Sequence, residues 1–301
     1  MEHLTEPKRL PGVQLQARDL VILAELGEVA LLDTETIHRR HFAEDASGQA
    51  CRRRLRLLAG HGLTQTLQIA VTTTTRSGRL PTIHRLTAAG ADVVAQETGH
   101  HPHRIARSDP PRPHTLLHRL GMARVMLALN DACQLHHLAK PDWLLEYDAI
   151  PGAPPGAGFA ERFVICHEFP GPKGTKVTCW PDAACTLTIP KNDQCWQLGI
   201  LWEYDRSTET LSQVTAKLAG YKALLDLRAY RRYWPTAAGV RIFFVVPSDA
   251  RRQNIISSIR QHPAAESVRI AVMDDVLNPA HVLGEAIWMT VNGECRRIIG
   301  D

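Results

Sequence analysis

The sequence predicts a mixed α/β protein in two parts. A small N-terminal domain carries helices and one hairpin, and a larger C-terminal domain has helices flanking a mixed sheet. Three observations carry this. A chain of 301 residues suits about two domains. The apolar spacing alternates along the chain between the helical period near 3.6 and the short continuous runs of buried strands. A stretch rich in Pro, His and Arg, Gly99–Pro113, separates the two patterns as a linker would. The expected boundaries are a polar leader over 1–14, a first domain over 15–98, the linker over 99–113, and a second domain over 114–301.

In the first domain, Gln16–Gly27 places Leu20, Ile22, Leu23 and Leu26 at helical spacing, with Gly27 as its stop. Asp33 is placed to cap a second helix over Thr34–Phe42. Gln49–Gly60 is a third, with Cys51, Leu55 and Leu58 on one face and arginines around the rest. Leu63–Val71 and Pro81–Leu86 read as two strands joined by a polar tip, and Thr87 opens a short closing helix. Helix, helix, basic helix, hairpin, helix is the order of a winged helix-turn-helix, whose third helix enters the major groove of DNA. The candidate DNA contacts are therefore Gln49, Arg52, Arg53, Arg54 and Arg56 on that helix, with Arg76 and Arg79 on the wing. The competing reading is that these arginines only solvate the outer face of a helix, or bind another protein.

The second domain opens with a long apolar-periodic helix over His114–Ala139, followed by a strand over Trp143–Ile150 and a breaker-rich loop, Pro151–Gly158. Short strands are expected in Glu161–Phe169 and Thr175–Trp180, then in Ala183–Ile189 and Leu198–Tyr204. A helix over Thr208–Leu227, capped by Ser207, precedes a buried strand, Val240–Val246. A helix over Arg251–Gln261, a strand over Val268–Met273 and a last strand or hairpin near Glu285–Asn292 complete the pattern.

Composition narrows the function classes. The chain is 44% hydrophobic and 22% charged, with a net charge of +4, so a nucleic-acid surface must be local rather than global. No apolar run reaches the roughly 18 residues of a membrane helix, and no membrane role is expected. The seven cysteines lack paired spacing, which fits reduced thiols in a cytoplasmic protein. Cys166, His167, Cys179, Cys185 and Cys195 form no Cys-x-x-Cys pair and argue against structural zinc.

The chemistry concentrates in Leu198–Glu209. Glu203 and Asp205 are two apart, which in a strand puts both carboxylates on one face. Asp182 begins the preceding strand, so antiparallel pairing brings it to the same sheet end. Three carboxylates together call for a cation, and divalent-metal cleavage of phosphodiesters uses this grouping, with Mg2+ or Mn2+ as the expected ion. Lys217, on the following helix, is the candidate for stabilising transition-state charge. Tyr221 lies one turn further and reads as a packing residue. The earlier echo, Asp142 with Glu146 and Asp148, has too few residues between its acids for two paired strands and a turn.

These residues carry a resemblance. A Pro-Asp on one strand and an acidic motif at the end of the next resemble the PD-(D/E)XK nucleases, except that Asp205 stands where that pattern has lysine. A narrower match comes from RDLVILAEL (Arg18–Leu26), RRRLRLLAGHGL (Arg52–Leu63), IHRLTAAG (Ile83–Gly90), PHTLLHRLGMARVMLALND (Pro113–Asp131), PDAACTL (Pro181–Leu187), WEYDRSTE (Trp202–Glu209) and KLAGY (Lys217–Tyr221). In this order they look like the replication-relaxation family, which includes C-type mobilisation relaxases of plasmids and conjugative elements. The resemblance implies a winged helix followed by a restriction-endonuclease-like domain. It also implies that Asp182, Glu203, Asp205 and Lys217 serve a metal-dependent, strand-specific nick at a transfer or replication origin. The partners implied are double-stranded DNA, other mobilisation or replication proteins, and optionally a second copy of the chain. The alternative is a non-catalytic replication or mobilisation accessory protein, or a transcriptional repressor, with a degenerate nuclease-like domain.

Overall fold

A computed structural model describes residues 14–68, 81–100, 102, 112–191 and 194–300. Two compact units divide the chain between Ala123 and Arg124. The division falls inside the long helix α5 (Pro113–Leu135), later than the linker expected at 99–113. The reason is packing: Leu116 and Leu120 in its first turns join Leu31 and Ile83 in the core of unit 1.

Unit 1 runs α1 (Ala17–Val29), β1 (Leu32–Asp33), α2 (Thr34–His41), α3 (Gln49–Gly60), β2 (Thr64–Leu67), β3 (Ile83–Leu86) and α4 (Ala88–Thr98). The strands form an antiparallel sheet in the order β1-β3-β2. Three helices followed by two antiparallel strands are the order expected of a winged helix-turn-helix. Leu23, Leu58, Leu63 and Val94 join α1, α3 and α4 in one apolar cluster. Local chemistry explains the helix starts. Asp33 accepts the Thr36 N–H at 2.8 Å, and Thr87 accepts the Gly90 N–H at 3.1 Å, each satisfying a donor the helix leaves open. Gly27 does not end α1, which continues to Val29. A Cβ there would stand 2.7 Å from Pro102, so this glycine permits a close approach rather than a stop. Arg76 and Arg79, the expected wing contacts, lie outside the described residues.

Unit 2 is built on a mixed sheet, seven-stranded among the described residues, in the order β12-β11-β10-β9-β8-β7-β4. The strands are β4 (Asp142–Leu145), β7 (Ala183–Lys191), β8 (Gln194–Tyr204), β9 (Gly239–Val246), β10 (Val268–Val272), β11 (Trp288–Met289) and β12 (Cys295–Arg296). A short helix α6 (Phe159–Arg162) and a separate hairpin of β5 (His167–Pro170) and β6 (Lys176–Cys179) intervene. The sheet changes sense at β8, which is antiparallel to β7 and parallel to β9. A parallel neighbour needs a crossover, supplied by α7 (Leu211–Asp226). It begins at Thr210, whose hydroxyl accepts the Gln213 N–H, and not at Ser207, which adopts a left-handed φ of 60°. The remaining helices are α8 (Asp249–Ile259), α9 (Met273–Val276) and α10 (Pro279–Val282).

Alternation sorts the two faces of the sheet. One presents Ala184, Leu201, Ile242 and Phe244 to Val214 and Leu218 of α7 and to Ile255 and Ile256 of α8. The other carries an aromatic row: Trp143 to Trp202 at 6.1 Å between ring centroids, Trp202 to Phe243 at 5.3 Å, and Phe243 to Trp288 at 4.5 Å. Asn130 of α5 accepts the Trp143 indole N–H at 3.0 Å, which removes an unsatisfied donor from this apolar layer. No helix among the described residues is long and apolar enough to cross a membrane.

Candidate functional site

In unit 1, α3 presents Gln49, Arg52, Arg53 and Arg56 as exposed residues, the face a major-groove helix needs. Arg52 donates to the Ser47 carbonyl at 2.7 Å, which fixes its stem at the start of the helix. Arg54 is placed differently. Its guanidinium forms a forked pair with Asp19 of α1, whose side chain is fully buried. It therefore ties α3 to α1 and stands apart from the exposed four.

In unit 2, the β7–β8 register pairs Ala183 with Trp202, so Asp182 meets the end of β8. Two bonds hold it: its N–H donates to the Trp202 carbonyl at 3.0 Å, and its carboxylate accepts the Tyr204 N–H at 2.7 Å. Glu203, only 3% exposed, points to the helical face and is met by α7. Lys217 donates to one Glu203 oxygen at 2.9 Å and Tyr221 donates to the other. The two donors are four residues apart, one helical turn, and so share a face. α7 lies close enough to serve because Gly220 has no Cβ: one there would overlap the Thr178 carbonyl of β6. Lys217 also pairs with Glu209 at 2.8 Å, at the half-exposed rim of the site.

Burial raises the Glu203 carboxyl above its usual range, Lys217 opposes the rise, and Asp182 adds to it. Burial also works against the Lys217 ammonium, but Glu203 and Asp182 outweigh it and hold the amine protonated. The two partners thus pull a shared proton in opposite directions. The 2.9 Å contact between Nζ and Oε2 favours the ion pair at neutral pH, because a bond to an ionised acceptor is the stronger one.

Asp205 follows the expected alternation but not the expected partnership. It is on the same side of the sheet as Glu203, yet Arg251 of α8 captures it through Nη2 at 2.6 Å and Nε at 3.2 Å. The same guanidinium donates to the Glu209 carbonyl at 2.7 Å. Asp182, Glu203 and Lys217 are brought together, and Asp205 is committed to a neighbouring clamp. Among the described residues no group of three His, Cys, Asp or Glu side chains is arranged to hold a metal, so the expected three-carboxylate set reduces to two. Two adjacent carboxylates with excess negative charge still suit Mg2+ or Mn2+, which commonly takes one or two protein carboxylates and fills its shell with water and phosphate. The cysteines do not extend the set: Cys166, Cys179 and Cys185 are buried thiols, and Cys185 accepts the Trp202 indole N–H at 3.3 Å.

The sequence pattern did not identify Arg251, Glu209 or Asp19. Arg251 and Asp19 act through contacts distant along the chain, Arg251 with Asp205 at 46 residues and Arg54 with Asp19 at 35, and Glu209 meets Lys217 only because α7 turns back over the strand end. Tyr221, read as packing, is buried as expected and also donates to Glu203.

The replication-relaxation family model matches residues 23–239. The chain belongs to the replication-relaxation family. The match spans α1 to the first residue of β9, so it takes in α3 of the winged helix as well as Asp182, Glu203 and Lys217. Membership associates the chain with replication and mobilisation of DNA. Comparison with curated proteins and with solved structures returned no match.

Proposed function

We propose that this family member binds double-stranded DNA through α3 and nicks one strand at the Asp182–Glu203–Lys217 site, acting as a relaxase at a transfer or replication origin. The observation that carries the reading is the meeting of two acidic strand ends with one lysine from the crossover helix. Asp182 and Glu203 would hold Mg2+ or Mn2+, and such an ion supplies charge neutralisation at the phosphate and a more acidic bound water. Tyr221 fixes the Glu203 carboxylate through its hydroxyl. Lys217 keeps a positive charge beside the site, where it can offset the charge that develops on a cleaved phosphodiester. Glu209 holds the same ammonium in place of a phosphate oxygen, and a bound strand would displace it.

A second reading has its own observation. Both Glu203 oxygens and the Asp205 carboxylate already have protein donors. That arrangement supports a DNA-binding accessory protein or repressor whose acidic site is structural. Supercoiled plasmid bearing the cognate origin, incubated with the protein and Mn2+, decides between them. Open circles from the wild type, lost with Asp182→Ala and Glu203→Gln, support the nickase. Origin binding without nicking by any form supports the accessory protein. Nicking by both variants at the wild-type rate would remove this site from consideration.

A further inference from the structure

A second concave site lies on the opposite face of the unit 2 sheet. It is a cavity of about 820 Å³, within the roughly 300–1,000 Å³ range of ligand clefts. Register defines its walls. Ile200 pairs with Arg241, Phe243 with Arg269, and Trp288 with Arg296, and directly paired residues share a face. Trp196 is on the same face of β8 as Ile200 and Trp202, near the strand's start. Glu203 has the other parity and ends the strand, so the two sites are separated by the sheet and by roughly 20 Å along β8.

Among the described residues, the charge in this cavity is unbalanced. Four arginines line it, Arg241, Arg269, Arg296 and Arg297, against Glu266 and Glu294. Arg296 pairs with Glu294. Arg241 donates to the Val240 carbonyl, and Arg269 to the carbonyls of Glu266 and Val268, so neither takes part in a salt bridge among the described residues. Burial, with the like charges of Arg241 and Arg296, lowers the pKa of Arg269, a cost that a bound anion would relieve. Trp196 is 50% exposed at the cavity wall. An indole left open to water beside clustered guanidinium groups is the combination that binds unpaired nucleotides, with a base on the ring and phosphates on the cations. Duplex DNA keeps its bases stacked and offers such a ring nothing.

We propose that this cleft binds single-stranded DNA, with Trp196 as the stacking platform and Arg241 and Arg269 as phosphate contacts. The inference stands on its own geometry and does not depend on cleavage at Asp182 and Glu203. The test is fluorescence anisotropy of labelled dT12 with the full chain in EDTA, where nicking plays no part. The protein carries Arg53→Gln and Arg56→Gln to suppress binding through α3. Trp196→Ala is expected to weaken dT12 binding by about 5- to 150-fold, the range of one base–aromatic stack. It should leave an abasic twelve-mer unaffected, and Trp196→Phe should restore most of the loss. Arg241→Gln with Arg269→Gln should weaken both ligands and reduce the slope of log K against log salt by about 1.4. Wild-type dT12 affinity in Trp196→Ala and in the double arginine variant would overturn the proposal. Displacement of dT12 by oligoglutamate as effectively as by unlabelled dT12 would also overturn it, in favour of an acidic protein segment.

Discussion

Arg54→Ala separates a structural arginine from the arginines proposed to bind DNA on one helix. The Asp19 carboxylate is fully buried and meets the Arg54 guanidinium through two nitrogens, with the Gln16 N–H at 2.7 Å as a further donor. Removing one member of a buried pair costs about 3–5 kcal/mol, because the remaining charge loses its partner. The Gln16 N–H stays, so the low end, about 3 kcal/mol, is expected. At roughly 4–8 °C per kcal/mol for a domain of this size, unit 1 should melt roughly 12–24 °C lower. All six tryptophans lie between residues 143 and 288, so indole emission reports on unit 2 alone. Calorimetry should show one transition moving down while the tryptophan transition holds. Arg53→Ala, on the exposed face, should stay within about 0.5 kcal/mol of wild type. It should instead weaken duplex binding and lower the salt slope by about 0.9. If Arg54→Ala melts as the wild type does and loses DNA binding as Arg53→Ala does, the assignment of Arg54 as an α1–α3 tie is refuted.

Three other outcomes follow from the same geometry. Glu209→Gln removes the rim carboxylate that pairs with Lys217; a pair this exposed is worth about 0.2–1 kcal/mol, so the KM of the proposed nicking reaction should fall by up to about fivefold with kcat little changed. His84 is buried, with Thr34 on one nitrogen at 2.9 Å and no partner on the other among the described residues, and burial lowers its pKa to about 4 while Asp33 opposes the shift. The unfolded chain protonates this ring near 6.5 and the folded chain does not, so its contribution is complete above about pH 6.5 and declines towards pH 4. Denaturant titrations should show a fall of about 3 kcal/mol across that window, reduced in His84→Gln. Gly220→Ala drives a Cβ into the Thr178 backbone, and overpacking of this kind costs about 1–3 kcal/mol; tryptophan-monitored unfolding should shift accordingly, with the proposed nicking lost before the fold because α7 carries Lys217.

Much of the architecture was legible in sequence because local rules govern it. α3 occupies Gln49–Gly60 as its apolar stripe indicated, and Asp33 and Thr87 cap the helices that follow them. Errors arose where a tertiary contact assigns a residue its task. Gly27 resembles a helix stop and serves instead to admit Pro102. Ser207 resembles a cap, but the chain turns left-handed there and Thr210 takes the role. For the site, period-two alternation placed Glu203 and Asp205 on one face correctly. It carried no information on which helix each would meet, and α8 brings Arg251 to Asp205 while α7 brings Lys217 to Glu203. The arginine-rich cleft was invisible for the same reason, since β8, β9, β10 and β12 each contribute one element of it.

The change of sense at β8 also sets an order of assembly. β7 and β8 pair from Lys191 with Gln194 outwards, a local hairpin of the kind that forms in about 1–10 μs. β9 joins only after the chain has traversed α7, and such non-local pairings form later because loop closure must come first. Asp182 and Glu203 therefore meet during folding before Lys217 reaches them. At that stage the nascent hairpin holds two like charges without their counter-ion. Added salt screens that repulsion, so stopped-flow refolding followed by tryptophan emission should quicken with ionic strength, and Glu203→Gln should remove the dependence. The carboxylates that Lys217 later neutralises would then also be a barrier that the chain crosses each time it folds.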